Sequence, residues 1–170
     1  MKKLNIEIKA HCPDPELVRS TLLKHHADFK GLDHQIDTYF KVPNGRLKLR
    51  EGNIENSLIY YERNNQQGPK ASNVNLFNVE KKGLKEILTK VLPIKIIVDK
   101  KREIYFIDNV KFHIDVVDGL GNFVEIEAIN SSAKSTHETL LQQCNYYMEL
   151  LHIKESHLIE HSYSDLLASK

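Results

Sequence analysis

The 170-residue sequence predicts an α+β fold built on an extended antiparallel sheet. Short segments in which apolar and polar residues alternate recur along the chain, and this period of two is typical of a β-strand with two unlike faces. Segments with helical spacing are few, and they lie before, between and after runs of such strands. This order of elements is typical of the α+β class.

The composition is that of a soluble globular protein, with 41% apolar and 28% charged residues and a formal net charge of +1. So small a net charge gives no field that would attract nucleic acid or a membrane surface. No apolar run approaches the roughly 18 residues of a membrane span, and no signal-peptide pattern is present. Cys12 and Cys144 form no CxxC pair, so we expect a reducing, cytoplasmic compartment. At this length one domain spanning residues 1–170 is expected.

The first predicted strand is LNIEIKA, residues 4–10. Asp14 and Pro15 then form a typical helix N-cap and first helical residue, and the helix is expected over about 15–27. Three strand-like segments follow, with the sequences QIDTYFKV, RLKLRE and NSLIYYER. The PNG turn after the first of them indicates a hairpin.

Residues 64–75 are polar and contain a Gly-Pro pair, which predicts a surface loop. A helix is expected over 76–92, where leucine, isoleucine and valine recur at helical spacing until Pro93 ends it. Three further strands are IKIIVDKKREIYFI, VKFHIDVV and NFVEIEAI. A C-terminal helix and a short helix or strand near 156–168 close the chain.

Charged residues dominate the polar faces of these strands, where surface strands usually carry threonine, serine and glutamine. Basic residues share a face on RLKLRE and DKKREIYF, and acidic residues share a face on FVEIE. Two arrangements fit: a flat sheet with a solvated face, or a barrel with a charged interior and helices over its apolar outer face. An interior of both signs suits a phosphate ligand with a cation, because basic side chains hold phosphates and carboxylates hold Mg²⁺ or Mn²⁺.

Other kinds of site have little support in the sequence. There is no GxxxxGK[ST] or GxGxxG motif, so neither a P-loop nor a Rossmann turn would hold the phosphates. The nine histidines are scattered without an HExxH pattern, which makes a histidine metal site improbable. The GLG at 119–121 is best interpreted as a hairpin turn.

NIEIK near the N-terminus resembles the ExExK signature of the CYTH superfamily, also called triphosphate tunnel metalloenzymes. Similar segments follow in the family's order over nearly the whole chain: DTYF, GRLKLRE, YYER, DKKREIYF, FHIDVVDGLGNFVEIE and SYSDLL. The nearest branch is that of class IV adenylyl cyclases and thiamine-triphosphatase-like proteins. The resemblance implies an eight-stranded antiparallel closed β-barrel, the triphosphate tunnel, with helices packed outside.

The resemblance also implies site residues. The carboxylates expected to hold Mg²⁺ or Mn²⁺ are Glu7, Asp115, Glu125 and Glu127. The residues expected to contact the triphosphate are Lys9, Lys48, Arg50, Arg63, Lys100 and Arg102. The expected catalytic residues are Lys9, Tyr39 and Arg63, although Tyr39 is equally well interpreted as a packed strand aromatic.

Two positions depart from the family pattern. Asn5 stands where the motif has its first glutamate, and its amide oxygen can bind a metal but brings no negative charge. Metal binding is therefore expected to be weaker, or one of two metal sites to be lost. Arg63 stands where many relatives carry lysine, which keeps the charge but changes the geometry.

Three functions fit these residues. An adenylyl cyclase would convert ATP to cyclic AMP and pyrophosphate, and a triphosphatase would hydrolyse thiamine triphosphate, a nucleotide or tripolyphosphate. A non-catalytic polyphosphate-binding module would follow if Asn5 abolished metal binding. Similarity through GLGNFVEIE and SYSDLL favours the cyclase. The expected partner is a small-molecule triphosphate, with no nucleic acid and no membrane, bound by a monomer or homodimer.

Overall fold

The computed structural model describes residues 2–62, 65–80, 83–131 and 135–170, with side chains from residue 5 onward. The strands within these ranges are β1 (Lys2–His11), β2 (Asp28–Phe40), β3 (Arg46–Glu51), β4 (Ser57–Glu62), β5 (Lys70–Asn78), β6 (Ile94–Ile107), β7 (Val110–Val117) and β8 (Gly121–Ile129). The helices are α1 (Pro15–Lys24), α2 (Leu84–Val91), α3 (His137–Leu150) and α4 (Tyr163–Ala168). None of the helices in the described ranges is long and apolar enough to cross a membrane.

The strands close into a barrel in the order β1-β5-β4-β3-β2-β6-β7-β8, with β8 paired to β1 again. Every neighbouring pair is antiparallel. Closure leaves no edge strand and gives the sheet an inner and an outer face. The eight-stranded closed barrel implied by the resemblance is therefore confirmed, and the flat solvated sheet is excluded.

The main apolar core lies outside the barrel. Strands β1, β7 and β8 turn their apolar residues outward, and α1 and α3 cover them. Ile8, Phe112 and Ile126 are fully buried there, and Leu22 of α1 and Leu140 of α3 pack in the same cluster. Each such side chain contributes about 1.5–3 kcal/mol by leaving water. The inner faces of the same strands carry mostly polar residues, with Val117 and Phe123 as apolar exceptions.

A second apolar cluster closes one end of the barrel. It is formed by inward residues of several strands and by the C-terminal segment that leads into α4, namely Tyr39, Ile59, Tyr61, Val98, Val117, Phe123, Ile159 and Tyr163. Lys70 anchors this segment, because its buried Nζ donates to the carbonyl oxygens of Ile159 and Glu160, both at 2.8 Å. The barrel interior is accordingly blocked at this end.

The predicted loop over 64–75 and the predicted helix over 76–92 are wrong in part. Strand β5 occupies Lys70–Asn78, and α2 is restricted to Leu84–Val91. The inward residues at the start of β5 are polar, so its sequence lacks the apolar–polar alternation that would predict a strand. Its hydrogen bonds come from β4, the preceding strand, and from β1, which is far from it in sequence. Tertiary pairing overrides local preference here.

Smaller differences concern the ends of elements. Helix α1 begins after the Asp14 N-cap, whose Oδ1 accepts from the Leu17 amide at 3.0 Å, but it ends at Lys24 rather than near residue 27. Strand β2 begins at Asp28, where β6 pairs with it, rather than at residue 35. The C-terminal helix is confirmed as α3, and the last segment contains a short 3₁₀ turn and α4.

Replacing Phe112 by alanine should lower the free energy of unfolding by about 3–5 kcal/mol, because it leaves a cavity between the barrel and its helices. The matched control is Val116→Ala, on the same outward face of β7 but 51% exposed, which should change stability by less than about 1 kcal/mol. Urea unfolding followed by circular dichroism measures both. Equal losses for the two variants would contradict a core outside the barrel at Phe112.

Candidate functional site

The barrel encloses a cavity of about 510 Å³, a volume in the range of small-molecule sites. Among the described residues, six basic and six acidic side chains line it. The basic side chains are Lys9, Lys48, Arg50, Lys100, Arg102 and Lys111. The acidic side chains are Glu7, Asp37, Glu55, Glu80, Glu125 and Glu127. The strand register brings them together, because inward residues of paired strands lie side by side.

Asp37 on β2 gathers three of the cations. It lies opposite Arg50 of β3, whose Nε and Nη2 donate to its two carboxylate oxygens at 2.9 and 3.0 Å. The Nζ atoms of Lys48 and Lys100 donate to Asp37 Oδ2 at 2.8 and 2.7 Å. Burial alone would raise the pKa of Asp37, but the charges of Arg50, Lys100 and Lys48 hold it well below its usual range. Asp37 is thus a permanent anion that orients three cationic side chains.

Arg102 on β6 is held by carboxylates of two neighbouring strands. It lies opposite Asp115 of β7 and makes a bidentate pair with it, from Nε at 2.7 Å and Nη2 at 2.5 Å. Its Nη2 also donates to Glu125 Oε2 at 2.8 Å. The Tyr163 hydroxyl donates to Asp115 Oδ2 at 2.7 Å from the closed end of the barrel. Asp115 therefore supports Arg102 from behind and does not line the cavity.

Glu125 on β8 has three partners: Arg102, described above, Lys9 and His113. Lys9 lies opposite it on β1 and forms an ion pair with its Oε1, and the same ammonium stands 3.5 Å from the centre of the Tyr163 ring. Burial lowers the pKa of Lys9, although Glu125 opposes this. His113 Nδ1 donates to Glu125 Oε2 at 2.9 Å. Glu125 therefore organises the inner part of the cavity.

Glu55 reaches the cavity from the loop between β3 and β4. Its carboxylate accepts from Arg50 Nη1 at 3.0 Å and pairs with Lys111 of β7. Asp33 of β2 fixes the loop, because its oxygens accept from the amides of Ile54 at 2.9 Å and Glu55 at 3.0 Å. The loop thus brings a further anion to the cations of the wall.

A sequence profile of the CYTH domain matches residues 3–163 of the chain. The chain belongs to the CYTH domain family. The resemblance drawn from NIEIK and the ordered motifs is therefore confirmed. No curated protein matches the chain significantly.

Solved structures share the fold of this CYTH domain. The PH1012 protein from Pyrococcus horikoshii OT3 is 24% identical, with a TM-score of 0.79 over 98% of this chain and 99% of that chain. A Vibrio parahaemolyticus protein provisionally described as an adenylate cyclase is 16% identical, with a TM-score of 0.79 over 99% of each chain. HpAC1 from Hippeastrum, an adenylyl cyclase candidate described as having a dominant triphosphatase activity, is 12% identical, with a TM-score of 0.60 over 99% of this chain and 96% of that chain. At these identities the likeness establishes the fold alone.

Most residues that the motifs single out lie inside the CYTH barrel. The cavity is lined by Glu7, Lys9, Tyr39, Lys48, Arg50, Lys100, Arg102, Glu125 and Glu127. Asp115 is buried behind Arg102. Arg63 lies outside the described residues. Tyr39 combines both of its interpretations, since it lines the cavity and also packs in the apolar cluster at the closed end.

Two carboxylates fit a divalent cation. Glu7 and Glu127 lie opposite each other on β1 and β8 and both face the cavity. In the described part of the chain no three histidine, cysteine, aspartate or glutamate side chains form a ready metal cluster. Magnesium is often held by one or two carboxylates together with substrate phosphates. Glu7 and Glu127 face the cavity from paired strands, which suits them to such a shared site.

The site residues implied by the resemblance leave out Asp37, Glu55, Lys111 and Tyr163, which line the cavity. Asp37 and Lys111 are inward residues in phase with Tyr39 and His113, so strand alternation contains the signal for both. Glu55 lies in a loop with no periodic pattern, and Tyr163 belongs to the SYSDLL segment but has no role assigned by it, so tertiary contacts reveal what both residues do. All four are partners of charged residues rather than members of the ExExK motif.

Acid should weaken the fold through His113. Burial and then the charge of Arg102 lower the pKa of His113 to about 4, whereas an unfolded histidine has a pKa of about 6.5. The unfolded state binds the extra proton, so stability is complete above about pH 6.5 and falls by roughly 3 kcal/mol as the pH drops to 4.

His113→Gln, which keeps a donor for Glu125, should flatten the pH dependence of urea unfolding between pH 4 and 6.5. His25→Gln, at an exposed position, is the control and should leave that dependence unchanged. If the histidine-free site showed the same slope as the wild type, His113 would not be the group responsible.

Proposed function

We propose that the barrel binds a small triphosphate with its phosphate chain pointing inward and hydrolyses the terminal phosphoanhydride bond with a divalent cation. One observation carries the triphosphate-binding part of this proposal: cationic side chains from several strands, buried or nearly so, converge on one cavity. These are Lys9, Lys48, Arg50, Lys100 and Arg102. Phosphate oxygens are the ligands that such convergent lysine and arginine groups bind most strongly.

The shape of the cavity gives the ligand a direction. Tyr163 and its apolar cluster block the inner end, close to Lys9 and Arg102. Neutral residues such as Asn56 and Val79 line the cavity near the Glu55 loop, away from that end. A linear triphosphate therefore enters with its terminal phosphate first, and its organic group stays nearer the Glu55 loop.

The cationic side chains of the cavity are oriented before the ligand binds. Asp37 holds Lys48, Arg50 and Lys100 on one side, and Asp115 with Glu125 holds Arg102 on the other. An incoming phosphate takes up donor capacity that these cations share, while the carboxylates keep the side chains in place. Preorganised donors in a buried site stabilise developing charge with little further rearrangement.

In the hydrolysis, water attacks the terminal phosphorus, the bond from that phosphorus to the bridging oxygen breaks, and negative charge grows on the leaving oxygen. Arg50 and Arg102 are placed to stabilise that charge. The proton that the attacking water releases passes to a phosphate oxygen of the products, while Lys9 and Lys100 stay paired with Glu125 and Asp37 as cations. A cation held by Glu7 and Glu127 would neutralise phosphate charge.

Cyclisation of ATP is the second candidate. The GLGNFVEIE and SYSDLL segments favour it, and so does the Vibrio parahaemolyticus structure provisionally described as an adenylate cyclase. In this reaction the ribose 3′-hydroxyl attacks the α-phosphorus and pyrophosphate leaves, so the same cations would stabilise a different leaving group. The two reactions differ in which phosphorus meets the nucleophile.

One product assay separates the candidates. The protein is incubated with ATP, thiamine triphosphate or tripolyphosphate in the presence of Mg²⁺ or Mn²⁺, and the products are resolved by chromatography. Release of orthophosphate is expected. Cyclic AMP with pyrophosphate from ATP would select the cyclase instead, and binding without turnover would select a polyphosphate-binding module.

Lys100→Ala should weaken tripolyphosphate binding by roughly tenfold or more, because it removes a charged donor worth about 1.5–3 kcal/mol. Lys101→Ala is the matched control, since Lys101 is the next residue of β6 and its side chain is exposed on the outer face. Isothermal titration calorimetry measures both affinities. Equal affinities for the two variants would place the phosphate away from the inner cations.

A further inference from the structure

We propose that Asn5 allows this tunnel to bind a triphosphate in the absence of a divalent cation, so that a cation is needed for turnover but not for binding. The inference rests on the proposed function and concerns the edge of the cavity formed by β1 and β8.

Asn5 faces the barrel interior and is 6% exposed. Its Nδ2 donates to Glu127 Oε1 at 2.6 Å. The reverse orientation of the amide would set its oxygen against the carboxylate, so the amino group must face Glu127. The Asn5 Oδ1 atom is buried and has no hydrogen-bond partner among the described residues. A neutral donor therefore satisfies one oxygen of Glu127.

A carboxylate at position 5 would change this edge. Glu7 and Glu127 already lie opposite each other, an arrangement in which like charges repel. A third acid beside Glu127 would need a cation or a proton between the carboxylates, because closely spaced anions do not remain ionised without one. The amide of Asn5 removes that requirement.

Several other carboxylates of the cavity also have positive neighbours within the protein. Glu7 is half-buried and lies opposite the buried Lys70 of β5. Glu125 is paired with Lys9 and Arg102, and Glu55 is paired with Lys111. With six acidic and six basic side chains among its described residues, the lining is balanced before any ion enters.

The consequence concerns the order of binding. A triphosphate can reach the basic side chains deep in the cavity without passing an uncompensated negative charge on β1 or β8. Glu7 and Glu127 then hold a cation that the bound phosphates help to bind, as is usual for magnesium. In this chain the phosphate chain can therefore bind first and the cation second.

Isothermal titration calorimetry with tripolyphosphate tests the inference, in EDTA and then in Mg²⁺ or Mn²⁺. The wild type should bind measurably in EDTA, and Mg²⁺ should tighten its binding by a smaller factor than it tightens that of Asn5→Glu. Asn5→Glu should bind roughly tenfold or more weakly in EDTA, because it adds a negative charge inside the cavity. Mn²⁺ should restore its affinity.

Asn75→Glu is the matched control, since it adds the same charge on the exposed outer face of the neighbouring strand β5. It should behave like the wild type in both conditions. Asn5→Glu should also melt at a lower temperature in EDTA and recover with Mn²⁺, whereas the wild-type melting temperature should not respond to the metal. This second measurement does not depend on ligand or turnover.

Wild-type binding that requires Mg²⁺ or Mn²⁺ overturns the inference and leaves the proposed function standing. Equal binding of Asn5→Glu and wild type in EDTA also overturns it. If tripolyphosphate and ATP fail to bind in every condition, the proposed function itself is wrong. Should Asn5→Glu not fold, the wild-type comparison in EDTA and Mg²⁺ still decides the question.

Discussion

The structure depends on the pairing of charges inside a closed barrel. Burying a charge without a partner costs more than most native contacts contribute, so each cation of the interior needs a carboxylate within reach. Asp37, Asp115, Glu125 and Glu55 supply these partners from three strands and a loop. The resulting network determines which strands can be neighbours, because a register shift of one residue would turn its members outward.

The same strands serve stability with one face and the candidate function with the other. Their outward residues pack under α1 and α3 and form the main core, while their inward residues form the charged cavity. The fold can remain stable with a polar barrel interior because its apolar surface is buried between the barrel and the helices. This division explains why residues such as Phe112 and His113, adjacent on β7, belong to different parts of the molecule.

The carboxylates of the cavity have unlike roles. Asp37, Asp115 and Glu125 are engaged by arginine and lysine and orient these basic side chains in and behind the cavity wall. Glu7 and Glu127, at the edge between β1 and β8, are the carboxylates suited to a cation. Of the four acidic positions implied by the motif resemblance, Asp115 and Glu125 are ion-paired with Arg102, and Glu7 and Glu127 stay the proposed metal ligands.

The sequence by itself determined most strands, the charge of their inner faces and, through ordered motifs, the family. Alternation identifies which residues share a face, because the side-chain period of a strand is two. Only the tertiary structure decided which faces meet, since register and closure join strands far apart in the chain. It placed β5 where a polar loop was expected, secluded Asp115 behind Arg102, and brought Glu55 to the cavity. It also set the Asn5 amide on Glu127, a contact across 122 positions of sequence that no local pattern records.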